Sequence, residues 1–176
     1  FAFGNSATDA THEETVLARE PRHWFPDAHV LIVRPGLEQS RVFGAAMKGG
    51  HNAEHHNHND VGAFLLYADG EPEVVDAGNM TYTAKTFGPE RYTLWNTRSM
   101  YHNVPLIGGI EQHEGREYAA RVLEADERGA ALELAGAYPE ETGLLSLARH
   151  IQPHEDGLSL HDRAELAEPS EITWVF

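Results

Sequence analysis

The sequence contains no cysteine. No disulfide can hold the fold, and no thiolate can bind a metal or attack a substrate. Long apolar runs are missing as well. None approaches the roughly 18 residues of a bilayer-crossing helix, so no segment reads as one. Positive charge is scarce: 13 Lys+Arg face 28 Asp+Glu, a formal charge of −15. Nucleic acid and anionic membrane surfaces recruit proteins through a positive field, so neither is expected as a partner. An anionic ligand would have to be met by a local cluster of positive groups. There is no internal repeat, no low-complexity tract, and no charged n-region leading into an apolar h-region.

What is present suits one globular domain. Of 176 residues, 41 % are apolar and 23 % charged, enough to build a core and too apolar for disorder. The chain starts at Phe1 without Met and ends in ITWVF (172–176), an apolar stretch that reads as a strand cut short. The chain is therefore expected to be a piece of a larger protein. Residues 1–27, polar and acidic at first, read as a linker or remnant of an upstream region. Residues 28–176 read as the domain, truncated at its C-terminus. The compartment stays open, with a periplasmic or secreted location favoured over a cytoplasmic one.

Short apolar runs separated by turn signals predict strands at 28–34, 41–48, 61–68, 73–76, 104–107, 117–124, 130–137, 144–152, 158–166 and 172–176. Asp69-Gly70 predicts a hairpin turn. Residues 89–99 predict a helical turn. Without a strand–helix rhythm, the fold class is all-β, an antiparallel sandwich or barrel.

The chemistry gathers in GGHNAEHHNHND (49–60). Of 12 histidines, four (His51, His55, His56 and His58) fall within eight residues. In extended backbone His56 and His58 share a face. Such a pair can give two imidazoles to one metal, or one to a metal and one to a substrate. Neutral imidazole is the commonest Zn²⁺ donor, and a third ligand leaves a fourth position open. Asp76 and His102, both at strand ends, are the candidates for that third ligand. The flanking Gly49, Gly50 and Gly62 predict close backbone approach. His12, His23, His29, His113, His150, His154 and His161 read as surface residues without a role.

Two families share parts of this pattern. The cupin barrel resembles it through Gly50, His56 and His58, but Gly62 and Ala63 stand where its Glu is required. The second resemblance runs further. KGGHNAEHHNHNDVGAF (48–64), YADGEP (67–72), VDAG (75–78), TYTAKTF (81–87), Arg91-Tyr92, Trp95 and YHNVP (101–105) follow in the order found in heparinase II/III-like polysaccharide lyases. Trp24-Phe25-Pro26-Asp27 is similar to the start of that family's sandwich domain.

That resemblance implies a C-terminal antiparallel β-sandwich whose N-terminal α/α toroid is absent from this chain. It implies Zn²⁺ on His58, Asp76 and His102, with His56 facing an acidic polysaccharide or oligosaccharide in the cleft between domains. Tyr92, or else Tyr82, is expected to face that cleft, with Asn57 and Arg91 at the substrate. Asn52 and Asn59 are further hydrogen-bonding candidates. Asp60 or Glu54 is expected to support the metal ligands, and His51, Arg91 and Arg98 to add positive charge. The implied reaction is β-elimination at a uronic acid unit, with the fragment alone inactive. The alternatives are a non-catalytic, metal-stabilised carbohydrate-binding or interaction module, and a cupin-like metal enzyme.

Overall fold

β-Branched and aromatic residues interrupted by Gly, Pro and Asp give short strands and tight returns, and the computed structural model is built from both. It describes residues 22–34, 43–126, 129–154 and 157–176. The polar stretch 1–20, the Pro35-Gly36 turn and residues 41–42 lie outside the described residues. Among the described residues, regular structure is strand apart from single turns of 3₁₀ helix.

The first sheet contains β1 (Arg22–Phe25), β2 (Val30–Val33), β3 (Phe43–Lys48), β5 (Phe64–Ala68) and β6 (Glu71–Val74), hydrogen-bonded in that order and all antiparallel. β4 (His51–Asn52) leaves this sheet to pair with β8 (Gly115–Ala119). The second sheet is β12 (Gly157–Leu166), β11 (Leu144–His154), β10 (Gly129–Glu133) and β9 (Arg121–Asp126), also antiparallel. β7 (Leu106–Ile107) pairs with β13 (Ile172–Thr173).

One apolar cluster joins the two larger sheets. Leu31, Val33, Ala45, Met47 and Phe64 come from the first, and Ala130, Leu132, Leu147 and Ile151 from the second. Period-two alternation sets the inward face of each strand. In β11 it makes Leu147, Arg149 and Ile151 buried while His150 and Gln152 face solvent. The fold is therefore an antiparallel β-sandwich.

Several boundaries differ from the sequence reading. Arg22–Phe25 pairs with β2 at the sheet edge, so the sandwich starts inside the stretch read as linker. The strand expected over 117–124 is two strands on different partners. Between them Ala120 is buried, and its N–H donates to Gly50 O at 2.9 Å, where the chain changes sheets. The strand expected over 130–137 stops at Glu133, whose carboxylate accepts from the Ala135 N–H (3.0 Å) and starts a 3₁₀ turn. The helical turn expected over 89–99 is a chain of 3₁₀ turns at Arg91–Thr93, Trp95–Thr97 and Ser99–Tyr101. Asp69 (φ 52°) and Gly70 (φ 87°) form the expected hairpin turn, with both φ values positive. The return strand then starts at Glu71 and ends at Val74, two residues short of Asp76.

Two loops carry the chemistry: residues 53–63 between β4 and β5, and 75–105 between β6 and β7. Glycine lets the first lie against the core. Gly62 has φ 94°, and a Cβ there would meet Leu134 Cδ1 at 2.5 Å.

Candidate metal centre

The second loop positions two groups capable of binding a metal by local hydrogen bonding. Beyond β6, Asp76 Oδ1 accepts from the Gly78 N–H at 2.8 Å, a turn that aims the other oxygen inward. Asp76 Oδ2 lies 2.5 Å from His102 Nδ1. The His102 ring is fully buried, and its Nε2 is 3.1 Å from Asn96 O. A carbonyl only accepts, so Nε2 carries the hydrogen and Nδ1 turns toward Asp76. Two lone pairs at that separation repel unless a cation, a proton or a metal, stands with them. A histidine whose outer nitrogen donates to a carbonyl has the arrangement common to metal-ligating histidines.

The first loop supplies the third group. The His58 ring lies 5.2 Å from the His102 ring, centroid to centroid. Donor atoms of His58, Asp76 and His102 all fall within 4.8 Å of one another. Asn59 N donates to Thr97 O (2.9 Å), which ties the His58 segment to the 3₁₀ turns. Burial, and then the neighbouring His102, push the His58 pKa below its ordinary value, favouring the neutral ring a metal needs. Burial opposes ionisation of Asp76, but the adjacent His102 ring and the Gly78 N–H hold its pKa below the ordinary carboxylate range. Two imidazoles and a carboxylate fit Zn²⁺ with one position left open.

His56 and His58 both line one small space, but not by strand alternation. The expected extended backbone is absent: residues 53–56 form turns, and His56 has φ 60°, a left-handed conformation costly for a side chain with a Cβ. Its ring is exposed and lies parallel to Tyr82, centroids 6.0 Å apart. Left-handed backbone at one residue, not strand alternation, turns one histidine outward and the next inward.

The two residues expected at the substrate are held within the loop. Asn57 is buried; its Nδ2 donates to His58 O (3.1 Å) and its Oδ1 accepts from the Tyr92 hydroxyl (2.8 Å). Arg91 grips Asn57 O through Nη2 (2.6 Å) and Nε (3.2 Å), and Thr86 O through Nη1 (2.6 Å). Of the two tyrosines expected at the cleft, Tyr82 is the one against His56, while Tyr92 turns its hydroxyl to Asn57. Asp60 and Glu54 serve Lys48, at 2.6 and 3.5 Å, rather than the ligating histidines. Arg98 pairs with Glu111, which cancels its expected charge. Arg91 meets carbonyl oxygens instead, so its charge persists. Asn52 is buried on Gln112 Oε1 (3.1 Å) and His113 O (2.9 Å). Asn59 is also buried, with its amide turned to Gln112 O. His51 Nδ1 accepts from the Ala53 N–H at 3.1 Å.

Three supporting residues escaped the sequence reading. Gln112 brackets Val61, accepting from its N–H (3.1 Å) and donating to its carbonyl (2.8 Å). Asn103 donates to Phe64 O (2.7 Å) and Val75 O (2.9 Å), fixing the backbone beside Asp76. Arg149, fully buried, binds both oxygens of Asp162 at 2.8 Å and donates to Gly62 O (2.7 Å) and Asn103 O (2.6 Å). Only Arg149 left a signal, as a charged residue in the inward phase of an alternating strand.

Two spaces adjoin His56. One, about 10 Å³, is lined by His56, His58, Tyr82, Arg91 and Asn96 and has room for one water or ion. The other, about 580 Å³, opens on the side of His55, Asn57, Phe87, Tyr92 and Glu114.

The sequence assigns this sandwich and its loops to a family. Residues 18–176 match the family described as heparinase II/III-like, C-terminal, and the chain belongs to that family. A solved structure described as a heparinase III gene product with methylated lysines shares the fold, with a TM-score of 0.62 and 14 % identity over 86 % of this chain. The present chain spans 23 % of that chain's length. No curated protein matches. Family membership replaces the cupin alternative.

Proposed function

We propose that this domain belongs to a polysaccharide lyase that cleaves uronic-acid-containing polysaccharide by β-elimination, and that it contributes a Zn²⁺ site and a cleft histidine. The observation that carries this reading is the divided pair: His58 turned into a His/Asp/His cluster, His56 turned out beside it. His58, Asp76 and His102 would hold the ion. Bound there, it supplies a fixed positive charge and ties the two loops together.

The reaction removes a weakly acidic proton at C5 of the uronate and expels the glycosidic oxygen at C4. Negative charge builds on the sugar carboxyl group as the proton leaves. A positioned donor that meets this charge lowers the barrier. His56, exposed and packed against Tyr82 and Phe87, would donate to that carboxylate. Arg91 adds uncancelled positive charge behind it. Tyr82, with its ring against His56, is the tyrosine of this domain suited to proton transfer. The remaining acid–base group, and the other wall of the cleft, are assigned to an α/α toroid domain, so the 176-residue chain alone is expected to be inactive.

The test uses the full-length protein carrying this domain, incubated with alginate, heparin-type and other uronans. The expected result is a rise in the ultraviolet absorbance of unsaturated uronate, lost in His56→Ala while bound zinc is retained. Absence of unsaturated product with every uronan would remove the lyase reading.

A further inference from the structure

Phe87 has no role in the scheme above, and its surroundings give it one. Its side chain is 66 % exposed, at the end of a 3₁₀ turn held by reciprocal Thr83–Thr86 contacts. Apolar side chains left this open are ordinary singly, but Phe87 is not single. Its ring stands perpendicular to His56 (5.8 Å, 88°) and to Tyr82 (5.2 Å, 80°), and Tyr82 is itself 54 % exposed. Edge-to-face packing of this kind fixes a ring's orientation. Phe87 is thus an exposed ring held in place.

It stands at the lip of the 580 Å³ cleft, with His55, Asn57, Arg91, Tyr92 and Glu114 around the same space. That volume lies in the range of small-ligand sites, and its lining sets one exposed phenyl ring among polar and charged side chains. The metal-side space is far too small for a sugar ring. Pyranose rings carry C–H groups with partial positive charge on their faces, matching the negative face of a phenyl ring. Their rims carry hydroxyls that suit Glu114 and His55.

We infer that Phe87 is a sugar-stacking platform, and that it holds a pyranose unit of the substrate chain on the side of His56 away from the metal ligands. The ligand class is a pyranose oligosaccharide, and the inference rests on the lyase reading for its link to turnover, though not for binding.

The experiment compares Phe87→Ala, Phe87→Leu and Phe87→Trp in the full-length protein, with heparin-derived and alginate-derived tetrasaccharides as probes. Calorimetry measures affinity, and steady-state kinetics measures KM and kcat on whichever probe is cleaved. Stacking predicts that Phe87→Ala and Phe87→Leu weaken binding about three- to tenfold, that Phe87→Trp restores it, and that KM moves more than kcat. Leucine keeps the apolar volume without a π face, so equal affinity for Phe87→Leu and the wild type would overturn the inference. Unchanged affinity in Phe87→Ala would overturn it as well. Tetrasaccharide binding that depends on Phe87 without any turnover would sustain the platform and count against the lyase reading. A wild-type protein that binds neither probe would defeat the platform.

Discussion

His56 and His58 are two residues apart and live in opposite environments. His58 faces a fully buried His102 and a half-buried Asp76, in a cluster pinned from behind by Asn96, Asn103 and Arg149. His56 stands in solvent on a left-handed backbone, among rings that are more than half exposed. The first half is over-determined by hydrogen bonds. The second is held by Arg91 and Tyr92 acting through Asn57, and by ring contacts with Tyr82 and Phe87. A hydrogen-bonded, partly buried cluster thus sits beside an exposed histidine two residues away.

The comparison breaks most severely at Arg149. Arg149→Met leaves Asp162 without its partner at the sheet interface and frees the Gly62 and Asn103 carbonyls. Urea unfolding should register a loss of about 3–5 kcal/mol. An unchanged midpoint would show that the buried pair is not what fastens the loops.

The next effect separates the histidines. On the lyase reading, His56→Ala should cost the full-length protein about a hundredfold or more in kcat, with zinc content and melting temperature held. His58→Ala should lose zinc and activity together. Loss of zinc in His56→Ala would erase the division between the two. Chelation of zinc-containing protein should lower the melting temperature and speed hydrogen exchange over residues 51–60. Unchanged melting after complete zinc removal would contradict an anchoring role.

A smaller effect tests the clamp. Tyr92→Phe removes one hydrogen bond to Asn57 and should cost about 1 kcal/mol of stability, with less than about a tenfold fall in kcat. A collapse of kcat would return Tyr92 to the chemistry.

The smallest effect lies away from the site. Burial disfavours the Glu133 carboxylate, yet the Leu147 N–H, the Ser146 hydroxyl and the Ala135 N–H hold its pKa below the ordinary value. Its stabilisation is therefore full above the ordinary carboxylate range and is lost as pH falls through the lowered folded value. Glu133→Gln should flatten the acid limb of the stability profile, by at most about 1 kcal/mol.

The sequence announced the sandwich because period-two alternation and turn residues are local signals. It pointed to the clustered His58, Asp76 and His102 through HNHND, VDAG and YHN, where unusual residues crowd in the loops. Local signals fail where the chain changes partners. Ala120 looks like mid-strand but is the crossing between two sheets, and Glu133 ends a strand by folding its own carboxylate back on the Ala135 N–H. They fail again at His56, because nothing in a histidine predicts left-handed backbone. The resemblance implies cleft positions for Tyr92 and Arg91, and both line the larger space, whereas their hydrogen bonds to Asn57 depend on a fold that brings positions 57 and 91 together.

The central claim is that His58, Asp76 and His102 share one zinc ion and that His56 does not. Zinc titration of the wild type and of four single alanine variants tests this directly. The account predicts one tightly bound zinc per chain in the wild type and in His56→Ala, and none in the other three. Zinc that persists in both Asp76→Ala and His102→Ala, or that never binds the wild type, would contradict it.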